Sequence, residues 1–335
     1  MHVASLPAGA MAAAVGRAFS ERHNVTFGFR STEKTQKFLE TRQIDGLPET
    51  IFSADIGATE NLWNLARESD VLILGTPMRH LMTFASGVLP YRRESGIVVC
   101  VPKGIEKGTN RTPFEVVKYV DPDAAKRTLV LSGPNFAHEI AKGLPALTVV
   151  ASEDLSLAER FAQEFSTSRF RIYPSDDVIG VGLAGALKNV IAIAAGICDG
   201  RKMGESARTG LLTRGGAEVR RLGMALGGKE LTFNGLAGVG DLFMTGASKE
   251  SRNHKAGVQI AKGRDPKKLM NSKKTIEGLH TAGPAASLAE GLGIDTPIIQ
   301  ALNQVINKGL SVEEAIGQLL SRDVVYEDGM PLRYY

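Results

Sequence analysis

His2-Val-Ala-Ser-Leu-Pro-Ala-Gly-Ala-Met-Ala-Ala-Ala-Val-Gly-Arg-Ala-Phe-Ser-Glu21 is the stretch that decides the fold. His2–Leu6 is a short apolar run that reads as a strand, Pro7–Ala12 is a turn around Gly9, and Ala10–Glu21 carries a helical pattern. Working outward, the same alternation repeats. Further candidate strands are Val25–Phe29, Val71–Gly75, Gly96–Cys100, Thr128–Leu131, Leu147–Ala151 and Arg169–Tyr173. Helical patterns such as Phe136–Lys142 and Leu155–Ser166 fall between most of them. Strands alternating with helices predict βαβ units on a mostly parallel sheet. After Ser175-Asp-Asp177, whose side chains suit a helix start, the strand pattern disappears. The rest reads as helices: a long apolar one holding Lys188, then Glu205–Leu226, Ala256–Lys262, Ala282–Glu290, Thr296–Lys308 and Val312–Ser321.

The expected architecture is therefore an α/β N-terminal, Rossmann-like, doubly wound and mostly parallel sheet over 1–175, followed by an all-α C-terminal domain over 176–335. The chain's 335 residues allow two domains with ample cores. An apolar fraction of 43% and a charged fraction of 23% exclude disordered and fibrous classes. A net charge of +4 is too mild to argue for nucleic acid but suits a small anionic substrate. Cys100 and Cys198 lie in apolar segments with neither metal-ligand spacing nor a disulfide framework, so no metal is expected and the compartment reads as reducing. Met1-His-Val-Ala-Ser-Leu-Pro7 lacks the regions of a signal peptide, which makes the cytoplasm the expected location.

A strand, a glycine turn and a helix in this order have the layout of a dinucleotide-binding first turn. Only the middle glycine, Gly9, is present; Pro7 and Ala12 hold the flanking positions, and Pro7 fixes its own φ where a glycine would be free. Arg30, with Ser31 and Thr32, closes the second strand, where NAD-specific folds usually carry an acid for the ribose hydroxyl. An arginine there suits a 2′-phosphate, so NADP(H) is favoured and NAD(H) remains possible. Arg30 can equally be an ordinary surface arginine.

Lys188 sits in Val178-Ile-Gly-Val-Gly-Leu-Ala-Gly-Ala-Leu-Lys-Asn-Val-Ile-Ala-Ile-Ala-Ala-Gly-Ile-Cys198, apolar on both sides. Burial disfavours an ammonium and lowers its pKa toward the range useful for proton transfer. Snorkelling to the surface or a structural ion pair are the plainer readings of a lone lysine there. A membrane span is disfavoured, because the lysine splits the run and costs roughly 2.5–3.5 kcal/mol at a bilayer centre. Gly182, Ala184, Gly185 and Ala186 form a small-residue surface beside it that another backbone or a ligand can approach.

Further segments read as ligand loops. Gly75-Thr-Pro-Met-Arg-His80 and Val101-Pro-Lys-Gly104 follow strands and put Lys103 at the carboxyl edge, where α/β sheets bind ligands. Ser132-Gly-Pro-Asn-Phe-Ala137 offers Gly133, Asn135 and backbone N–H groups. Gly235-Leu-Ala-Gly-Val-Gly-Asp241 is glycine-rich and ends on an acid, and Ser251-Arg-Asn253 has the composition of a phosphate grip. Each alone reads more readily as an ordinary loop than as a ligand site. Together with Lys103-Gly-Ile-Glu106, Gly185–Asp199 around Lys188, Leu236–Leu242 and Thr275-Ile-Glu-Gly278, they resemble, in order and over nearly the whole chain, the NAD(P)-dependent glycerol-3-phosphate dehydrogenases of the bacterial type.

The resemblance implies reversible reduction of dihydroxyacetone phosphate to sn-glycerol 3-phosphate, which supplies glycerophospholipid backbones. It implies that Lys188 transfers the proton, with Lys103 and Asp241 around the reacting hydroxyl. It assigns Gly133, Asn135, Ser251, Arg252 and Asn253 to substrate, with Arg252 and Asn253 as phosphate grips. Gly9 sits in the first-turn layout, and the resemblance assigns Ala10, Met11, Arg30, Lys103, Ala137, Arg252 and Glu277 to the cofactor. A homodimer is a family-level expectation. The departures gather at Pro7, Gly9 and Ala12 and between Lys37 and Asn61, while Asn135 stands where Ser or Thr is common. Two other readings compete with a working dehydrogenase: a ligand sensor or weak pseudoenzyme with a damaged pyrophosphate turn, and a related reductase acting on another phosphorylated or carboxylated substrate.

Overall fold

In the computed structural model, residues 1–272, 275–324 and 326 are described; the sequence-expected end of the second domain, 327–335, lies outside them. Eight strands form one sheet: β1 (His2–Leu6), β2 (Asn24–Gly28), β3 (Gly57–Thr59), β4 (Val71–Leu74), β5 (Ile97–Cys100), β6 (Thr128–Ser132), β7 (Ala146–Ala151) and β8 (Phe170–Ser175). Their spatial order is β3-β2-β1-β4-β5-β6-β7-β8. Every neighbouring pair is parallel except β6 with β7. Val71-Leu-Ile-Leu74 is buried along its whole length, as expected for a central parallel strand covered on both faces. Strand order reverses between β1 and β4, and the crevice beyond the carboxyl ends of such strands is where open α/β sheets take ligands. The turns after β1, β2, β4, β5 and β6, carrying Gly9, Arg30, Gly75, Lys103 and Asn135, all leave from that edge.

The sequence-expected strands are present, His2–Leu6 with the same ends and the others with ends displaced by at most two residues, and β3 is an addition. Gly57-Ala-Thr59 is too short and too weakly apolar to show as a strand in sequence; it forms because the β2 edge supplies its partners. No strand follows Ser175 among the described residues.

The helix Val178–Gly200 organises the second half. Asp177 caps it, Oδ1 accepting from Gly180 N at 2.8 Å and Oδ2 from Lys229 N at 2.8 Å. It is long and apolar enough to cross a membrane, yet 94% of its most apolar window is buried inside the protein. The covering comes from helices Glu205–Ala225, Asp241–Ala247, Arg252–Ala261 and Glu277–Gly291. A helix apolar all round is a core helix when others surround it. Its small residues let backbones meet: a Cβ on Gly196 would collide with the His254 carbonyl oxygen, so helix Arg252–Ala261 crosses in direct contact.

Two segments read from the sequence as loops are helical. Leu236–Gly240 forms a single wide π-type turn that runs straight into helix Asp241–Ala247, and Arg252 and Asn253 open helix Arg252–Ala261 with Ser251 as its N-cap. Glycine density signalled a loop in the first case; packing against the Lys188 helix overrides it.

Candidate active site

The site forms where the carboxyl edge of the sheet meets the middle of the Val178–Gly200 helix. Gly185, one turn before Lys188, sets the distance: a Cβ there would lie 2.6 Å from Ser132 Oγ at the end of β6. Lys188 is 6% exposed, and its ammonium donates to Asp241 Oδ1 at 2.9 Å and to Thr245 Oγ1 at 2.6 Å. Lys103, from the turn after β5, donates to Asp241 Oδ2 at 2.6 Å and to the Gly133 carbonyl at 3.1 Å. One fully buried carboxylate thus holds two ammonium groups, one from each half of the chain.

Burial is the strongest influence on Lys188 and brings its pKa from 10.5 down to about 8. The charges of Lys103 and Arg252 push the same way, while Asp241 opposes them. Burial alone would raise the Asp241 carboxyl, but the two lysines outweigh it and hold that pKa below its ordinary value. An ionised carboxylate beside a lysine able to gain or lose its proton near neutrality is an arrangement for acid/base work.

Thr245 is the residue that sequence reasoning missed. It accepts from Lys188 and donates to Asp241 Oδ1 at 3.1 Å, fixing the carboxylate and the ammonium against each other. Its position four residues after Asp241 would have marked it only if the segment had been read as a helix.

The remaining sequence candidates divide into three places. Asn135 is buried with Nδ2 donating to the Leu147 carbonyl at 2.9 Å, while Oδ1 is a buried acceptor with no hydrogen-bond partner among the described residues. Arg252 is exposed at the first position of its helix, close enough to influence both Lys188 and Glu277 electrostatically. Ser251 Oγ is the cap, accepting from His254 N at 3.2 Å. The Asn253 amide is used structurally: Nδ2 donates to Asn189 Oδ1 at 2.7 Å and Oδ1 accepts from Gly278 N at 2.9 Å. Any grip by Asn253 on an anion falls to its backbone N–H in the first helical turn.

The cofactor candidates line the sheet edge. Gly9 is the N-cap of helix Ala10–Phe19 and supplies no capping side chain, so the first-turn N–H groups, including those of Ala10 and Met11, are presented to an anion. The helix of Ala137 packs on that same helix. The glycine absent at position 12 is replaced across the crevice: a Cβ on Gly75 would collide with Ala12 Cβ and lie 2.7 Å from the Pro7 carbonyl oxygen. The turn after β4 therefore yields the space that a glycine in the first turn would otherwise yield. Arg30 Nη2 donates to Thr76 Oγ1 at 2.8 Å. Glu277 Oε1 accepts from Met78 N at 3.3 Å, and burial pushes its carboxyl up to about 7 despite the charges of Arg252 and Arg79. The residues present fit a dinucleotide.

A second acid raised to about 7 by burial, Glu218, serves differently: it accepts from Ile298 N at 2.8 Å and Ile299 N at 3.1 Å and ties down a helix start. It borders a mainly apolar cavity of about 670 Å³ whose walls include none of Lys103, Lys188, Asp241 and Arg252. Among the described residues no group of three His, Cys, Asp or Glu is placed to hold a metal.

Comparison with known sequences finds the family described as NAD-dependent glycerol-3-phosphate dehydrogenase, its N-terminal part matching residues 2–158 and its C-terminal part residues 177–317. A glycerol-3-phosphate dehydrogenase [NAD(P)+] of Symbiobacterium thermophilum is 42% identical over 282 residues, spanning 84% of this chain and 81% of that one. A protein of the same name from Thiobacillus denitrificans is 36% identical over 97% of this chain and 99% of its own. The crystal structure of glycerol-3-phosphate dehydrogenase from Coxiella burnetii superposes with a TM-score of 0.89 at 29% identity, covering 96% of this chain and 99% of the other. A ketopantoate reductase from Ralstonia eutropha shares the fold alone, with a TM-score of 0.61 at 16% identity over 92% and 98% of the two chains.

Proposed function

The chain belongs to the NAD-dependent glycerol-3-phosphate dehydrogenase family and is an NAD(P)-dependent oxidoreductase acting on the CH–OH group of glycerol 3-phosphate, and from that premise we propose how its residues divide the work. The observation that carries the proposal is the buried Lys188 ammonium on Asp241, with Lys103 on the other oxygen of the same carboxylate. An ammonium has three N–H donors, and Asp241 and Thr245 take two. The third serves the substrate oxygen at C2.

In reduction, Lys188 gives a proton to the carbonyl oxygen of dihydroxyacetone phosphate as that oxygen becomes the hydroxyl of sn-glycerol 3-phosphate. In oxidation the neutral amine takes the hydroxyl proton. When bound, the nicotinamide would supply or accept the hydride. Asp241 and Thr245 keep the lysine aimed whichever protonation state it holds, and Lys103 adds a positive charge where negative charge develops on oxygen. Arg252, with Ser251 and the backbone N–H groups of the following turn, binds the phosphate, which fixes C2 over Lys188. Asn135 Oδ1 accepts from a substrate hydroxyl, and Gly133 lets the β6 turn run close to β7. Gly9, Ala10 and Met11 hold the pyrophosphate. Arg30 holds the 2′-phosphate, favouring NADP(H), and Ala137 and Glu277 complete the cofactor cleft.

Residues 1–175 and 176–335 serve as the cofactor and substrate domains, supported by the last strand ending at Ser175 and the Lys188 helix beginning at Val178. A cytoplasmic homodimer is the finer expectation, supported for location by the free, buried Cys100 and Cys198. A sensor role is disfavoured because ligand binding alone has no use for a proton-transfer lysine. The deciding assay follows nucleotide absorbance with both nucleotides and in both directions. Oxidation of NADPH that depends on dihydroxyacetone phosphate is expected; substrate binding without turnover would leave the sensor reading standing.

A further inference from the structure

A cavity of about 430 Å³ opens at the carboxyl edge of β2, β3 and β4, and Arg30, Glu60, Trp63, His80, Thr83 and Phe84 are among its walls. That size suits a drug-sized or nucleoside-sized ligand. The Arg30 guanidinium lies 5.3 Å from the centre of the Phe84 ring and is held by Thr76, so it is fixed in place with donors to spare. Trp63 is 56% exposed, and its indole N–H donates to the Gly87 carbonyl at 3.1 Å, which holds a large aromatic face at the cavity rim. An exposed, immobilised indole is a stacking surface for a base.

The wall carries Arg30, His80 and one acid, Glu60, with Arg79 next to His80. Arg79 Nε donates to His80 Nε2 at 3.0 Å, and burial first, then the charges of Arg79 and Arg30, lower the His80 pKa below its ordinary value. Glu60 is the acid on the wall, and the charge of Arg79 also acts on the buried Glu277 carboxyl. Two guanidinium groups and an imidazole gathered at one rim outnumber the acids beside them and favour an anion there. Helix Leu81–Val88 begins directly after His80, adding its N-terminal dipole in the same sense.

We propose that His80 is a second determinant of nucleotide choice: with Arg30 it holds the 2′-phosphate of NADPH in this cavity, while Trp63 receives the adenine. This rests on the dehydrogenase reading above, and it extends that reading from Arg30 to a residue in the turn after β4. His80 acts on affinity for one nucleotide over the other and takes no part in the chemistry at Lys188.

The test uses the full chain and fragments that carry no nicotinamide. Binding of adenosine 2′,5′-bisphosphate and of 5′-AMP is measured by calorimetry at pH 5.5, because the His80 pKa lies below its ordinary value, for the wild type, His80→Gln and His80→Arg. An exposed charge contact predicts that His80→Gln weakens the bisphosphate about five-fold and 5′-AMP less than about two-fold, and that His80→Arg restores the bisphosphate. The KM for NADPH should follow the bisphosphate, and that for NADH should follow 5′-AMP. Equal weakening of both fragments would mean that His80 only supports the turn, and unchanged binding of both would mean that it touches neither; each overturns the proposal. Failure of the dehydrogenase reading shows separately, as no turnover of dihydroxyacetone phosphate while the fragment pattern is kept.

Discussion

Lys188 Nζ lies 2.9 Å from Asp241 Oδ1, a contact between the middle of one buried helix and the first residue of another, 53 positions further along the chain. Both groups are almost fully withdrawn from water. Removing one partner of such a pair leaves an uncompensated buried charge, a cost of roughly 3–5 kcal/mol in comparable sites. The second ammonium, Lys103, joins Lys188 in keeping the carboxylate ionised and adds to burial in lowering the Lys188 pKa. On the proposed mechanism the pair serves proton exchange rather than stability.

The direction of the Lys188 shift fixes a pH dependence. Its pKa is lowered to about 8, so oxidation of glycerol 3-phosphate, which needs the neutral amine, should rise with pH and level off above about 8. Reduction of dihydroxyacetone phosphate, which needs the ammonium, should fall over the same range. Because the Lys103 charge helps lower that pKa, Lys103→Met should move both inflections upward. Profiles of kcat/KM in the two directions check the sign, and inflections that do not move would separate Lys103 from the tuning of Lys188.

Arg30 stands where the second strand meets the cofactor crevice, pinned by Thr76. Arg30→Ala should raise the KM for NADPH by about ten-fold more than that for NADH, the scale of a charge-assisted contact to phosphate. Paired initial-rate series with the two nucleotides measure the ratio. Equal effects on both would remove the basis for preferring NADP(H).

The altered first turn offers a compensation test. A Cβ at position 75 would strike Ala12 Cβ, so Gly75→Ala should lower both thermal stability and nucleotide affinity, by about 1–3 kcal/mol in stability as overpacking does. Adding Ala12→Gly should recover part of both losses. Melting curves and nucleotide titrations of the single and double variants read this out, and additive losses would mean that the two positions do not share one space.

Much of this was legible in the sequence, for reasons that differ by element. The central strands show because they are continuous branched and apolar runs, and Val178–Cys198 shows because a charge in such a run is costly. The dense glycines of Leu236–Gly240 concealed a helical turn whose conformation is set by tertiary packing. Thr245 carried no signal of its own, since its role exists only once Asp241 and Lys188 are brought to it. The space for Ala12 was equally hidden, because the residue that yields it, Gly75, is a neighbour only through the pairing of β1 with β4. Asn253 was readable as a polar residue beside an arginine, but its use as a bridge between Asn189 and Gly278 was not.

The most direct test of the central claim compares turnover and nucleotide binding in Lys188→Ala. Loss of the proton-transfer group should lower dihydroxyacetone phosphate-dependent NADPH oxidation by about 10²–10⁴-fold or more while NADPH still binds within about three-fold of the wild type. Turnover within ten-fold of the wild type would contradict the account, and would return Lys188 to the plainer reading of a buried structural lysine.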